Sequence, residues 1–183
     1  MPFFLGPDKT SRGPRTHKGA RKADNREMQD ISIRRLAVAD EKLAQQTFLI
    51  MAQVFNEDSA PLGSPYLKGL LSRSDFWAFA ALVGKEVVGG ITGFNLPLTR
   101  LERRELFIYD LAVKVDWQRK GIGRALFDSL RQAAAAEGIG EGFVLADDED
   151  THALDFYRAL GASASPVTAF SFPTLSRRKR DSR

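Results

Sequence analysis

A chain of 183 residues, 43% of them apolar, is long enough for one globular domain with its own core. The absence of cysteine excludes disulfides, thiolate metal sites and a cysteine nucleophile, and no metal is called for. The net charge of +4 belongs to the ends: residues 1–30 and 174–183 together carry +7, which leaves residues 31–173 mildly acidic at −3.

Residues 1–29 read as a disordered basic tail and 174–183 as a second basic tail, on either side of a domain at 30–173. No apolar run reaches the roughly 20 residues of a membrane-spanning helix. The opening Met1 to Leu5 is too short for a secretory signal, so a cytoplasmic protein without a membrane partner is expected. A basic tail can touch nucleic acid, but an acidic domain makes that an unfavoured reading.

The domain opens with a short strand from Ile31. Asp40 can cap a helix to about Phe55, with Leu43, Thr47, Ile50 and Val54 on one face. A loop from Asp58 leads to a short helix over Tyr66–Leu71. Trp77–Val83, the turn Gly84-Lys85 and Glu86–Leu96 make a hairpin. A loop to Arg103 precedes a strand over Glu105–Val113. From Gly121 the period turns helical, with Ile122, Leu126, Leu130 and Ala133 in one stripe ended by Gly138. Phe143–Ala146 reads as a strand, His152–Leu160 as a helix and Val167–Phe172 as a last strand. Alternating elements with one hairpin predict an α/β fold with a mixed sheet and helices on both faces.

Chemistry concentrates at three places. Gln118-Arg119-Lys120-Gly121-Ile122-Gly123-Arg124 joins a strand to a helix N-terminus. Unpartnered main-chain N–H groups and the positive end of the macrodipole favour an anion there. Gly121 and Gly123 allow close approach, and Arg119, Lys120 and Arg124 add charge. A basic, glycine-rich turn without a ligand is the plainer reading. Gly89-Gly90-Ile91-Thr92-Gly93 lies inside a strand and fails the dinucleotide context.

Asp110 is a carboxylate among Leu106, Phe107, Ile108, Tyr109 and Leu111. An unpaired charge in a buried strand is costly, so Asp110 is expected to face a cleft, with a raised pKa suited to a base. A salt bridge to Arg104 or Lys114 is the alternative. The acidic run Asp147-Asp148-Glu149-Asp150, with Asp155 nearby, is either a solvated loop or a site for a polycation. Glu105, Asp58 and Asp75 are weaker acidic candidates.

Gln118-x-x-Gly121-x-Gly123 after an apolar strand, followed by the helix from Ala153 to Gly161, resembles the GCN5-related N-acetyltransferase (GNAT) superfamily. Within it, Ile108–Val113, Tyr66-Leu67, the hairpin from Phe79 to Gly89 and Val144–Asp147 are similar to the class I aminoglycoside 3-N-acetyltransferases, the gentamicin acetyltransferases. The likeness runs from about Tyr66 to Phe172. It implies a central, mostly antiparallel sheet of six to seven strands, splayed near the fourth, and acetyl-CoA as cofactor. Leu111, Ala112, Val113, the segment Gln118–Arg124 (with Ile122) and Tyr157 would hold that cofactor. The Val113 N–H would polarise the thioester, and Tyr157 would protonate the leaving thiolate; a core tyrosine is the alternative. Asp110 and Tyr109, with Asp147, Asp148, Glu149 and Asp150, would hold a polycationic aminoglycoside. With no cysteine, attack would be direct.

The resemblance also implies a homodimer. An acceptor such as a polyamine, a metabolite amine or a protein amine is the alternative. Where the resembling enzymes tend to carry Asp-Asp-Pro-Ala, this chain has Asp150-Thr151-His152-Ala153. His152 is read as a surface residue or a base acting through water, and Phe156 as a core residue facing away from Tyr157.

Overall fold

The computed structural model describes residues 31–173, and both basic tails lie outside the described residues. In chain order the elements are β1 (Ile31–Arg35), a 3-10 turn (Val38–Asp40), α1 (Glu41–Val54), α2 (Ser64–Leu71), β2 (Phe76–Val83) and β3 (Glu86–Pro97). There follow β4 (Arg104–Val113), a 3-10 turn (Val115–Trp117), α3 (Ile122–Ala136), β5 (Gly142–Val144) and α4 (Thr151–Ala159). The described strands form one sheet in the order β1-β2-β3-β4-β5. The first three neighbouring pairs are antiparallel, and β4 and β5 are parallel.

Side chains alternate across a strand, and β2 shows what this does. Trp77, Phe79 and Ala81 join one core cluster with Ile122, Leu126 and Leu130 of α3. Phe76, Ala78 and Ala80 join a second cluster with Ala44 of α1 and Leu67 of α2. The sheet is therefore covered on both faces, as expected.

Three expectations need correction. The described residues hold five strands, not six to seven, because Val167–Phe172 forms no strand and is exposed. The strand expected at Phe143–Ala146 is Gly142–Val144, since pairing with β4 stops at Ile108↔Val144. The buried stripe of α1 is Ala44, Thr47 and Met51, with Leu43, Ile50 and Val54 only half-buried. Gly90 explains the last shift: a Cβ there would stand 2.5 Å from Thr47 Cγ2 and 2.9 Å from Met51 Sδ. The helix rests those two residues on bare main chain.

Two irregularities position the site. Thr92 faces Asp110 and Gly93 faces Ile108, so Tyr109 is the extra residue of a β-bulge in β4. Beyond Ile108, β4 has no pairing with β5, and the sheet opens into a seam.

Candidate active site

The seam leads into a cleft of about 1290 Å³. Leu111 and Val113 of β4 form one wall, Leu145 and Ala146 the other, and the loop Trp117–Arg119 with Gly121 the mouth. Gln118 Nε2 donates to the Val113 carbonyl at 3.0 Å, which ties this loop to the end of β4. Arg119 (φ 63°) and Gly121 (φ 82°) are both left-handed. Left-handed residues in a turn let successive main-chain N–H groups converge on an anion. With the N-terminus of α3 behind them, this mouth fits a diphosphate.

The basic side chains divide their roles. Arg119 is exposed on the cleft. Lys120 Nζ lies 4.6 Å over the Trp117 ring, and Arg124 donates to the Ala159 carbonyl at the end of α4 (3.0 Å) while still bordering the cleft. Gly123 serves packing as well as access, since a Cβ there would press the Phe156 ring at 3.3 Å. Ile122 and Ala112 are core residues. Neither borders the cleft, in contrast to the expectation that both hold the cofactor.

Asp110 is partly buried. Its carboxyl is pushed up to about 6, first by burial and then by the Glu57 carboxylate, while the Thr92 hydroxyl opposes the shift. Thr92 Oγ1 is itself buried without completing a hydrogen bond; it lies beside the carboxylate rather than firmly bonded to it. Neither alternative partner is engaged here. Lys114 pairs with Glu86 at 2.7 Å and Arg104 approaches Glu137 at 3.7 Å.

The bulge puts Tyr109 and Asp110 on the face covered by α1 and α2. The Tyr109 ring packs edge-on to Phe94 at 5.7 Å, and burial, then Asp110, Glu57 and Tyr66, raise its pKa. Tyr157 belongs to the other face, packing against the α3 cluster. Its phenol is pushed up to about 12 by burial, then by Asp110 and Asp150. The two groups therefore feel each other through the open seam. One is a carboxylate that exchanges its proton near neutrality; the other is a phenol that keeps it.

The acidic run separates. Asp150 caps α4, accepting from Ala153 N at 2.9 Å, and borders the cleft. Asp147 accepts from Glu149 N at 2.9 Å, and Asp147, Asp148 and Glu149 are exposed outside the cleft wall. Asp155 borders the cleft and pairs with Arg158. Asp75 is held by Arg73, which lowers its pKa. His152 is exposed at the cleft rim.

Phe156 corrects its expectation, since it lines the cleft and meets Tyr157 edge-on at 5.2 Å. Two residues were not anticipated. Glu57 follows Asn56, whose φ of 55° ends α1 with a sharp turn, and that turn is the one sequence signal for it. Thr92 could have been found only from strand register.

The fold is shared with proteins of known structure. A crystal structure of an aminoglycoside acetyltransferase from an uncultured soil metagenomic sample, in complex with sisomicin, superposes with a TM-score of 0.75 at 34% identity, covering 81% of this chain and 98% of that one. A ribosomal-protein-alanine N-acetyltransferase from Brucella melitensis shares the fold at a TM-score of 0.65 and 22% identity, covering 79% of this chain and 99% of that one. The [ribosomal protein bS18]-alanine N-acetyltransferase of Escherichia coli K12 is 26% identical over 82 residues, which is 45% of this chain. The match spans only 55% of that curated relative. The Acetyltransferase (GNAT) family model matches residues 43–162, from α1 to the end of α4, and the chain belongs to that family.

Proposed function

We propose that this acetyl-CoA-dependent acetyltransferase modifies an amine of an aminoglycoside such as gentamicin, at the 3-N position, and so confers resistance. The cleft and the α3 mouth would hold acetyl-CoA, which would supply an activated acetyl thioester. Gln118 holds the loop to β4, and Arg119 and the main-chain N–H groups of 119–123 bind the diphosphate. The Val113 N–H at the end of β4 would donate to the thioester carbonyl oxygen.

The acceptor arrives as an ammonium. Asp110 takes its proton, a task suited to a carboxylate poised near 6. Tyr157 retains its proton at neutral pH, so its O–H would be available to the thiolate that leaves as the acceptor nitrogen bonds to the acetyl carbon and the C–S bond breaks. Glu57, Asp110 and Asp150 surround the acceptor with negative charge, to which Asp147, Asp148 and Glu149 add at longer range. A polycation suits that field.

The observation that carries the acceptor assignment is the likeness, over 98% of its length, to an aminoglycoside acetyltransferase bound to sisomicin. A cytoplasmic location would place the enzyme with its cofactor. The alternative acceptor is the amine of a protein, favoured by the partial match to the ribosomal-protein-alanine enzyme.

Thioester consumption should be measured with gentamicin, sisomicin, spermidine and an alanine-initiated peptide, with NMR of the acetylated product. The expected result is turnover of the aminoglycosides with acetyl at N3. Acetylation at the 6′ amine would overturn the regiochemistry, and activity confined to spermidine or the peptide would overturn the substrate class. Tyr157→Phe should lower kcat at least tenfold with the dissociation constant for CoA unchanged; calorimetry and steady-state rates check both halves.

A further inference from the structure

Strand register places the first described residue at the cleft end of the sheet. Ile31 faces Val83, and Val83 faces Glu86 across the hairpin. Glu86 lines the cleft and pairs with Lys114, the residue after Val113. One row further in, Ile33, Ala81, Gly89 and Val113 stand side by side on four successive strands. Neighbouring strands lie about 4.8 Å apart, so the start of β1 is roughly 15 Å from the end of β4. Residues 1–30 lie outside the described residues, but they join the domain at this end.

A groove links that end to the cleft. A cavity of about 290 Å³ between α1 and the β2–β3 hairpin is lined by Gln46, Leu49 and Lys85, and it shares Ile50, Glu86 and Lys114 with the cleft. Charge in the sequence before β1 is ordered to match. Residues 23–30 carry Asp24, Glu27 and Asp30 against Arg26 alone, which suits passage beside Lys85. Residues 9–22 carry six Lys/Arg and no Asp/Glu, ending in Arg21-Lys22. Past the groove, Asp150 and Asp155 border the cleft and Glu57 acts on Asp110 beside the seam.

We propose that the cleft acetylates its own chain on the Lys22 side chain, with Lys18 the next residue in reach. Lys22 precedes Ile31 by nine residues, which span up to about 30 Å when extended, twice the distance to be crossed. A short tether holds an amine at an effective concentration on the order of millimolar. That offsets the high proton affinity of a lysine amine. The Lys22 ammonium would give one proton to Asp110, and its nitrogen would bond to the acetyl carbon as the C–S bond breaks. The second proton it loses would pass by way of Tyr157 to the departing sulfur, leaving an amide and a free thiol. This activity rests on the acetyl-CoA chemistry of the cleft and not on the aminoglycoside assignment.

The full chain and its Asp110→Asn variant should be incubated with isotopically heavy acetyl-CoA and no other acceptor, then digested and mapped by mass spectrometry for heavy and pre-existing acetyl groups. Lys68 and Lys85 report uncatalysed acetylation. Wild type should label Lys22 or Lys18 at least tenfold faster than those two, with a rate constant independent of chain concentration. Asp110→Asn should lose that excess. Labelling of Lys22 and Lys18 no faster than Lys68 and Lys85, or undiminished in Asp110→Asn, would overturn the proposal. A rate constant that rises with chain concentration would mean that one copy modifies another, and would overturn the step within one chain.

A second variant leaves the folded domain untouched. Lys22→Arg with Lys18→Arg keeps the charge and removes the accepting nitrogens, so catalysed acetyl uptake should fall at least tenfold; undiminished uptake would equally sink the assignment. Gentamicin, sisomicin and spermidine are followed in parallel with wild type. Acetylation of any of them beside unlabelled Lys22 and Lys18 would defeat self-modification alone, whereas no acetylation of any amine would defeat the reading of the cleft with it.

Discussion

Asp110 and Tyr157 make opposite demands on their protons, and one physical cause serves both. Burial disfavours charge, so it lifts a carboxyl toward neutrality and a phenol out of its reach. A carboxyl that burial keeps protonated also costs stability once it ionises. The folded state holds the Asp110 proton up to about pH 6, whereas an unfolded chain releases it near 4. Between those values the folded state binds more protons, so the contribution of Asp110 to stability falls as pH rises through that window. Asp110→Asn should therefore lose about 10²-fold or more in kcat yet gain on the order of 1–2 kcal/mol at pH 7, after allowance for partial exposure. Urea titrations at pH 7 and pH 4 check this, because the gain should vanish at the lower pH. The neighbours act with opposite signs. Glu57→Gln should move the acidic limb of kcat/KM to lower pH, and Thr92→Val should move it higher, since one removes a like charge and the other a donor to the ionised carboxylate. Identical limbs in all three proteins would remove Asp110 from the proton path.

Among the elements, what could be read in advance was whatever has a local cause. The hairpin of β2 and β3 is legible because apolar runs flank Gly84, and Gly84 indeed takes φ 57°. α3 is legible from its stripe, and its start from the glycines that precede it. The buried face of α1 is not legible locally because the deciding residue, Gly90, lies on β3. The bulge at Tyr109 was equally hidden, since an extra residue in one strand has meaning only against its partner's register. Asp110 is legible from its apolar neighbours, but Glu57 and Thr92 act on it through space, and nothing adjacent in sequence announces them. The Gly90 contact can be tested directly. Gly90→Ala should destabilise by about 1–3 kcal/mol, as overpacking does, because its Cβ would meet Thr47 Cγ2 at 2.5 Å and the Phe79 carbonyl oxygen at 3.2 Å. Adding Thr47→Ser, which removes that methyl, should recover part of the loss in a denaturation series. No recovery would locate the strain at Met51 Sδ, 2.9 Å from that Cβ, or at the main chain of β2 instead.

At the scale of the whole molecule, charge is segregated: the ends are basic, and residues 31–173 are net acidic, with Asp150 and Asp155 bordering the cleft and Glu57 acting on Asp110 beside the seam. Such a field acts over roughly 8 Å at physiological ionic strength and is screened beyond that. It should draw in a polycation and leave a neutral or singly charged acceptor almost indifferent. On the proposed reading the diphosphate end of acetyl-CoA would be held at the basic mouth by Arg119 and main-chain N–H groups, so raising salt should weaken donor and acceptor capture through different residues. With acetyl-CoA saturating, kcat/KM for gentamicin should fall several-fold between 50 and 300 mM salt, by way of KM, with kcat nearly constant. Glu57→Gln should flatten that dependence by removing one carboxylate from the acceptor's path, without changing the salt response of CoA binding measured by calorimetry. A salt-independent KM for every aminoglycoside would mean that the acidic seam does not recruit the acceptor, and a dependence unchanged in Glu57→Gln would place the responsible charges elsewhere on the cleft.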